Sequence, residues 1–266
     1  AKELKIKYFN YDYSLGYPVK DKIYLRYLPD TRKFCDVIFS NSNFRTEQYL
    51  MSSSFLTKKP LIFNHICPQL DYSLRKKSFL SFKSSDIKIG IVDNISYEDC
   101  GLSYDDLFTL IKFFKNNKLP FKFILQSKRG DLEEQFIKLN FNKKNYVSGR
   151  KGDFSLLRNS DLIISIGWQS IALKAASTFE KPLIFYSQNG YPYKGYIFSI
   201  NKQNNQIINN LCNDLWFSEK DLNNKLNKLF LDNHNLDNVR DLSMELLNQI
   251  YFHKENIEDY FKKYFK

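Results

Sequence analysis

The residues of this chain best suited to chemistry follow a short apolar run at 162–166. Gly167, Trp168, Gln169 and Ser170 come directly after that run, and residues 169–179 have helical periodicity. Glycine permits a tight turn, and the first N–H groups of a helix have no partner within the helix, so such a turn can hold a phosphate. Gln169 and Ser170 add side-chain donors. The sequence therefore predicts a phosphate-binding turn, although an ordinary strand-turn-helix connection has the same spacing.

Polar or glycine-containing segments also follow the apolar runs at 87–92, 121–126 and 145–148. These segments contain Asp93 and Asn94, then Gln126, Ser127, Lys128 and Arg129, and then Gly149 and Arg150. Short loops need turn residues, which accounts for the glycine and the asparagine. Several cations at one edge of a sheet repel one another unless an anion binds between them. The segments therefore predict a site for an anionic ligand.

The elements that position these residues are predicted from the alternation of apolar runs and helical periodicity. Strands are predicted at 87–92, 121–126, 145–148, 162–166, 183–186 and, less clearly, 196–200. Helices are predicted at 104–117, 131–140, 152–158, 169–179, 218–231 and 236–264. This alternation indicates an α/β fold with a doubly wound, Rossmann-like parallel sheet, in which ligands bind at the carboxyl ends of the strands.

Three parts are predicted along the chain. Residues 1–80 contain the apolar runs 37–40 and 61–64 and form a small or incomplete N-terminal α/β part, followed by a polar linker. Residues 86–210 form the Rossmann-like domain. Residues 211–266 form C-terminal helices that pack back on the core. Because few residues precede the linker, the first part is either an unusually small domain or a fragment that lacks its first strands.

Composition narrows the classes of function. The chain has 266 residues, with 40 basic and 29 acidic side chains and a net charge of +11, which suits a polyanionic partner but also a lysine-rich solvated surface. No RNA-recognition, helix-turn-helix or zinc signature occurs, so nucleic acid is not an expected partner. The four cysteines are scattered without metal-ligand spacing, so we expect no metal and a cytoplasmic location. The C-terminal YFKKYFK suits a peripheral membrane contact.

Taken in order, these segments resemble a known family. A strand ending in Asp, a strand ending in Lys-Arg, a Gly-x-x-Ser turn and a Lys-Pro-apolar strand are similar to the nucleotide-binding half of GT-B glycosyltransferases of bacterial surface-polysaccharide synthesis. KIGIVDNISYED and ILQSKRGD resemble transferases that take sugars such as Kdo from CMP. SDLIISIGWQSIALKAASTFEKPLIFY and PLIFNHICPQLD resemble CDP-glycerol glycerophosphotransferases of teichoic-acid synthesis. The resemblance covers roughly residues 34–201.

The resemblance implies a glycosyltransferase that moves a sugar from a cytidine-nucleotide donor, similar to CMP-Kdo, to a surface-polysaccharide or glycolipid acceptor. The implied partners are a nucleotide-sugar and a glycan or lipid-linked acceptor, and no cofactor is expected. The alternatives are a CDP-glycerol-type polyol-phosphate transferase and a non-catalytic GT-B-like binding protein at the membrane surface. An enzyme with a lipid-linked acceptor would work at the inner face of the membrane.

The resemblance also implies roles for individual residues. Asp93 is the candidate nucleophile, His65 a candidate acceptor-side base and Glu98 a third catalytic candidate. Each also has a structural interpretation as a turn former, helix cap or strand-end residue. The donor-binding candidates are Asn94, Gln126, Ser127, Lys128, Arg129, Gly149, Arg150, Gly167, Trp168, Gln169 and Ser170.

Overall fold

The chain forms two compact units in the computed structural model. The model describes residues 8–11, 35–52, 60–64, 82–83, 85–93, 104–117, 120–127, 130–150, 152–199, 201–250 and 262. The first unit comprises Ala1–Asp71, Tyr193–Asn209 and Leu247–Lys266. The second comprises Tyr72–Pro192 and Asn210–Leu246.

The first unit contains a three-stranded parallel sheet with β2 in the centre. The order is β1-β2-β3, with β1 at Phe9–Tyr11, β2 at Val37–Ser40 and β3 at Leu61–Asn64. Helix α1 (Asn43–Ser52) follows β2. All four residues of β2 are buried, as expected for the central strand of a parallel sheet. The sequence runs at 37–40 and 61–64 are thus strands, whereas neither β1 nor α1 was predicted.

The second unit contains a six-stranded, wholly parallel sheet. Its strands are β4 (Ile87–Asp93), β5 (Phe121–Ser127), β6 (Tyr146–Ser148), β7 (Leu162–Ile166), β8 (Leu183–Tyr186) and β9 (Trp216–Phe217). They lie in the order β6-β5-β4-β7-β8-β9. The third strand of this unit therefore comes first and the order reverses after the first strand, which is the 3-2-1-4-5-6 arrangement of a doubly wound Rossmann sheet. The predicted α/β, doubly wound class is confirmed.

Helices connect the strands and continue to the end of the described chain. They are α2 (Tyr104–Asn117), α3 (Asp131–Lys138), α4 (Ser170–Phe179), α5 (Lys202–Leu215), α6 (Glu219–Leu231) and α7 (Asn233–Ile250), with 3-10 turns at Lys143–Asn145 and Ser155–Asn159. Helix α4 ends at Glu180, which has a left-handed backbone with φ 50°, and the Lys181 N–H donates to the Ala176 carbonyl. This is a common way to end a helix, and the proline at 182 prevents its continuation.

The core of the second unit lies around the two central strands. The five residues of β7 are all buried, and Leu162, Ile164 and Ile166 pack in one cluster with apolar residues of β4, β5, α2 and α3. Edge-to-face aromatic pairs fill the outer part of this core, including Phe114 with Phe123 at 5.0 Å and Phe123 with Phe136 at 5.3 Å between ring centroids. These three phenylalanines are therefore packing residues of the core.

Three predicted elements differ from the structure. Residues 196–199 form no strand beyond an isolated bridge at Ile197, and the sixth strand is β9 instead. Strand β9 has only two residues, which is too short a run to give a periodic signal in the sequence. Helix α5, which leads to β9, is rich in asparagine, a weak helix former. Residues 155–159 form a 3-10 turn where 152–158 was predicted as a helix. The helix predicted at 236–264 begins three residues earlier, at Asn233.

Candidate functional site

The candidate site lies where the strand order of the second unit reverses. Strands β4 and β7 are neighbours, with Ile89 opposite Leu162 and Val92 opposite Ser165. The chain leaves β4 toward β5 and leaves β7 toward β8, which lie on opposite sides of this pair. The two connections therefore diverge at the carboxyl ends of β4 and β7. In open α/β sheets the crevice that such a divergence opens is where ligands bind.

Asp93 is the last residue of β4 and ends at this crevice. It lies opposite Ser127 of β5, and its side chain is only 2% exposed. A carboxylate held away from water is costly unless nearby groups compensate it, so its position at a strand end differs from that of an ordinary exposed turn former. Of the other predicted site residues, His65, Asn94, Glu98, Lys128 and Arg129 lie outside the described part of the chain.

Gln126 and Gly149 hold together the carboxyl ends of β5 and β6. The Gln126 Nε2 donates to the Arg150 carbonyl at 3.2 Å, and the Gly149 N–H donates to the Leu125 carbonyl at 2.7 Å. A Cβ on Gly149 would lie 2.3 Å from the Gln126 Oε1, which is much closer than atoms can approach. A larger residue at position 149 would therefore require the Gln126 amide or the loop to move.

The predicted residues Arg150 and Ser127 occupy the same edge of the sheet. The Arg150 carbonyl accepts from the Asp153 N–H at 3.0 Å as well as from Gln126, while the Arg150 side chain is exposed to solvent. The Ser127 hydroxyl accepts from the Gly130 N–H at 2.9 Å and so closes the connection to α3. In this structure the Ser127 hydroxyl supports the loop, and a donor contact at Ser127 stays a prediction.

The turn from Gly167 to Ser170 joins β7 to α4. Gly167 has φ 68°, a left-handed backbone that glycine adopts without strain. The Ser165 hydroxyl donates to the Gly167 carbonyl at 2.7 Å, and the Gln169 Nε2 donates to the Ile166 carbonyl at 2.9 Å. Both side chains thus fix the path of the turn, which makes Gln169 a support for the turn in this structure.

The first turn of α4 presents its N–H groups at the same place. Gln169 is the N-cap residue, yet its side chain makes no capping hydrogen bond. The Leu173 N–H bonds to the Gln169 carbonyl at 3.1 Å, so the N–H groups of residues 170–172 precede the helical ladder. Together with the helix dipole, these donors suit a phosphate. The half-buried Ser170 is the first helical residue.

Lys174 adds a positive charge that the sequence interpretation did not use. It lies four residues after Ser170, on the same face of α4, and its side chain is 1% exposed. Lys174 already has at least one interaction within the fold. The spacing from Ser170 was the available signal, since residues four apart on a helix are neighbours.

Trp168 packs into the sheet beneath the turn. Its ring is stacked on Phe185 with a centroid distance of 5.6 Å, and Phe185 is stacked on Trp216 at 4.8 Å. The Trp216 Nε1 donates to the Ser187 hydroxyl at 3.1 Å. The buried ring of Trp168 favours a packing role, and a donor contact at this residue stays a prediction.

Asp106 is a second acidic residue that sequence reasoning missed. Its Oδ1 accepts from the Gln188 N–H at 2.6 Å and ties the start of α2 to the loop after β8. Next to it, the Tyr186 hydroxyl bonds with the Thr109 hydroxyl at 2.9 Å. Asp105 and Asp106 are both in the first turn of α2, a position that also favours acidic residues because of the helix dipole. The sequence signal was therefore ambiguous.

Within the described residues, no group of three or more His, Cys, Asp or Glu side chains could hold a metal ion. Among the same residues, no helix combines the length and apolar character that crossing a bilayer requires.

Comparisons with known proteins bear on the fold. No protein-family model matches the sequence, and no curated protein matches it. Among solved structures, a variant of the wall teichoic acid polymerase TagF is similar, with 16% identity and a TM-score of 0.52. The match covers 88% of this chain and 57% of TagF.

Two further structures match with lower TM-scores. The E. coli trehalose-6-phosphate protein bound with UDP-2-fluoro glucose has 11% identity and a TM-score of 0.49, over 93% of this chain and 66% of that one. Anabaena HepE in complex with UDP and glucose has 9% identity and a TM-score of 0.49, over 98% and 71%. The chain thus spans 57% of the length of TagF, and 66% and 71% of the length of the other two structures. The TagF likeness shows that the α/β fold of this chain is GT-B-like.

Proposed function

We propose that the chain is a nucleotide-sugar-dependent glycosyltransferase that uses a cytidine-nucleotide donor similar to CMP-Kdo. The acceptor in this proposal is a surface polysaccharide or a glycolipid. The observation that carries the proposal is the turn at Gly167–Ser170, which presents helix N–H groups at the crevice where the strand order reverses. A nucleotide donor has the phosphate that such a turn suits.

The charges around the turn support the same class of ligand. The buried Lys174 lies one helical turn beyond Ser170, and Arg150 is exposed after the edge strand β6, at the carboxyl edge of the same sheet. In the proposal, Lys128 and Arg129 join them and neutralise the leaving nucleotide phosphate. Asp93 then attacks the anomeric carbon of the sugar, displacing the nucleotide phosphate and forming a glycosyl ester. The acceptor hydroxyl later attacks the same carbon, loses its proton and releases the Asp93 carboxylate. His65 and Glu98 remain candidates for moving the acceptor proton.

A second candidate is a CDP-glycerol-type polyol-phosphate transferase. Its support is the fold shared with TagF, a wall teichoic acid polymerase, together with the sequence resemblance of the turn and of PLIFNHICPQLD. This candidate keeps the phosphate turn and the cytidine but transfers a phosphate-bearing group, so Asp93 would not become glycosylated. For both candidates we propose a lipid-linked acceptor and a peripheral contact with the inner face of the membrane.

A thermal-shift series with CMP, CDP, UDP, GDP and ADP tests the donor class. A ligand at 100 times its Kd stabilises the native state by about 2.7 kcal/mol, which corresponds to roughly 5–10 °C for a chain of this size. We expect shifts of this order for CMP or CDP and clearly smaller shifts for the other bases. Equal shifts with all five nucleotides, or none with any, would contradict the proposal.

The Lys174→Met variant makes this test specific for the phosphate. Methionine keeps the apolar stem but removes the charge, so CMP binding should weaken by about tenfold while cytidine binding stays the same. Equal weakening of CMP and cytidine would show that Lys174 supports the fold only. Incubation with CMP-Kdo and, separately, with CDP-glycerol then distinguishes the two candidates by the product formed. Nucleotide binding without any turnover would indicate the non-catalytic binding protein.

A further inference from the structure

The carboxyl end of β2, in the first unit, is a buried polar turn that the proposed donor site does not include. Ser40 ends the strand, Asn41 and Ser42 follow, and α1 begins at Asn43. Ser40, Asn41 and Ser42 are each at most 1% exposed. Three consecutive polar residues without solvent are unusual, because a buried polar group needs a hydrogen-bond partner.

The two serines of the turn have such partners. The Ser40 hydroxyl donates to the Ser42 carbonyl at 3.1 Å and accepts from the Thr46 hydroxyl at 2.9 Å. The Ser42 hydroxyl accepts from the Arg45 N–H at 3.1 Å and so caps the start of α1. These bonds explain why the serines are buried.

Asn41 differs from its neighbours. Neither its Nδ2 nor its Oδ1 has a hydrogen-bond partner among the described residues, and both atoms are closed to solvent. Leaving both ends of a buried amide unsatisfied destabilises the native protein, and native structures contain few such groups. The side chain is held at the carboxyl end of the central strand of a parallel sheet, where ligands of α/β proteins bind.

We infer that Asn41 binds adjacent hydroxyl groups of a neutral sugar or polyol. The amide needs one group that donates to Oδ1 and one that accepts from Nδ2, and two neighbouring hydroxyls supply both. A carboxylate or phosphate only accepts and would leave Oδ1 unsatisfied. The nearby cation, Arg45, donates to the Gln48 Oε1 at 2.9 Å and lies over the Tyr49 ring at 5.0 Å, so it is already engaged.

The identity of this ligand as the acceptor sugar rests on the proposed glycosyltransferase function, whereas the binding of hydroxyl groups at Asn41 does not. The sequence gives no sign of the site, since Ser-Asn-Ser between a strand and a helix is ordinary turn chemistry. Only the burial of the turn, and the difference between the serines and Asn41, indicate a ligand.

The test replaces Asn41 and measures both stability and sugar binding. In Asn41→Leu an apolar group of similar size occupies the position, so the free energy of unfolding should stay the same or rise. Binding of the neutral free sugars glucose, N-acetylglucosamine and galactose, and of glycerol, is measured by saturation-transfer NMR and calorimetry. We expect at least one of the four to bind the unaltered chain and to lose roughly tenfold or more in affinity in Asn41→Leu.

Two variants act as controls. Asn41→Asp keeps the shape and the acceptor but lacks the donor, so it should also lose sugar affinity. Thr46→Val removes a hydrogen bond of the same turn without touching the amide, so sugar affinity should be unchanged. Binding of CMP should be the same in all three variants.

Three results would overturn the inference. They are the failure of all four compounds to bind, unchanged affinity in Asn41→Leu, and clear destabilisation of Asn41→Leu, which would mean that ordered water or a structural contact satisfies the amide. If no cytidine nucleotide binds but the sugar affinity still depends on Asn41, the proposed function fails and this site stands.

Discussion

Polar residues at the two edges of the six-stranded sheet differ in their burial. At the amino edge, the Lys88 N–H donates to the Asp161 carboxylate at 2.7 Å and the Asp161 N–H donates to the Lys88 carbonyl at 2.8 Å. Asp161 is exposed. Lys181 lies close enough to Asp161 and Lys88 for the charges of these two residues to influence the pKa of Lys181. At the carboxyl edge, by contrast, Asp93 and Gln126 are buried at the ends of β4 and β5.

The difference separates two uses of polar side chains. At the amino edge the exposed Asp161 carboxylate fastens the start of β7 to β4 while remaining in water, where such interactions stabilise little and cost little. Buried polar groups at the carboxyl edge lose hydration, and their electrostatic interactions with any ligand are stronger because water does not screen them. A ligand site is therefore expected at the carboxyl edge only, and variants of the two edges should differ in function rather than in stability alone.

The largest expected difference is in turnover, between variants of Asp93 at the carboxyl edge and of Asp161 at the amino edge. If Asp93 is the nucleophile, Asp93→Ala should lower turnover by about 10³-fold or more and leave CMP affinity within a few-fold, because the carboxylate acts on the sugar carbon. Asp161→Asn should leave turnover near that of the unaltered chain, since its carboxylate contacts the amino edge. Turnover is measured with CMP-Kdo and a glycan acceptor.

A covalent adduct would establish the role of Asp93 directly. Protein incubated with CMP-Kdo and no acceptor should gain the mass of one glycosyl unit, on the peptide that contains Asp93. If Asp93 is only a turn or cap residue, Asp93→Ala should lose roughly 0.5–2 kcal/mol of stability, keep its catalysis and form no adduct. That outcome would move the search to Glu98 and His65.

A smaller effect, on nucleotide affinity, is expected for substitution of Gly149 at the carboxyl edge. In Gly149→Ala the new Cβ meets the Gln126 Oε1, so the loop has to move and nucleotide affinity should fall by about tenfold. Shortening Gln126 to alanine in the same chain removes the clash and should restore part of the affinity. Calorimetry with CMP on the single and double variants measures the coupling between the two positions. Additive losses of affinity in the double variant would show that positions 149 and 126 act independently, so that the clash between them is not the cause of the loss in Gly149→Ala.

The sequence predicted the main strands of the second unit because these strands are buried on both faces. A central parallel strand such as β7 is a continuous apolar run, and its signal does not depend on distant residues. The turn at Gly167–Ser170 was predicted for the same reason, since strand, glycine and helix adjoin in the chain. Strand β9 depends instead on pairing with β8, so its two residues had no local signal.

The parts of the site that the sequence did not predict depend on contacts across the fold. The need for glycine at 149 comes from Gln126 on another strand, and the role of Asp106 comes from a bond to Gln188. Asn41 was not predicted as a ligand residue because the absence of a partner is a property of packing. Local patterns therefore predicted the strands and turns at which the candidate residues lie, whereas the contacts that support those residues required the structure.

The smallest expected effect is an opposite pH dependence of stability at the two edges. Burial lowers the pKa of Lys181 from 10.5, an effect that Asp161 partly opposes and Lys88 increases. The unfolded chain therefore binds more protons than the native chain between the lowered pKa and 10.5, and this group makes stability rise as the pH rises through that window.

Tyr186, at the carboxyl edge, has the opposite sign. Burial raises its pKa from 10.0 to about 12, although the hydrogen bond with Thr109 works against this change. The native chain keeps the proton that the unfolded chain loses, so the contribution of Tyr186 to stability is fully present below pH 10.0 and is lost as the pH rises toward 12.

Urea midpoints followed from neutral pH upward should rise less steeply in Lys181→Met and fall less steeply above pH 10.0 in Tyr186→Phe. Burial also raises the pKa of Tyr146, so part of the fall should remain in Tyr186→Phe. Identical pH profiles for both variants and the unaltered chain would show that neither group changes its protonation on unfolding.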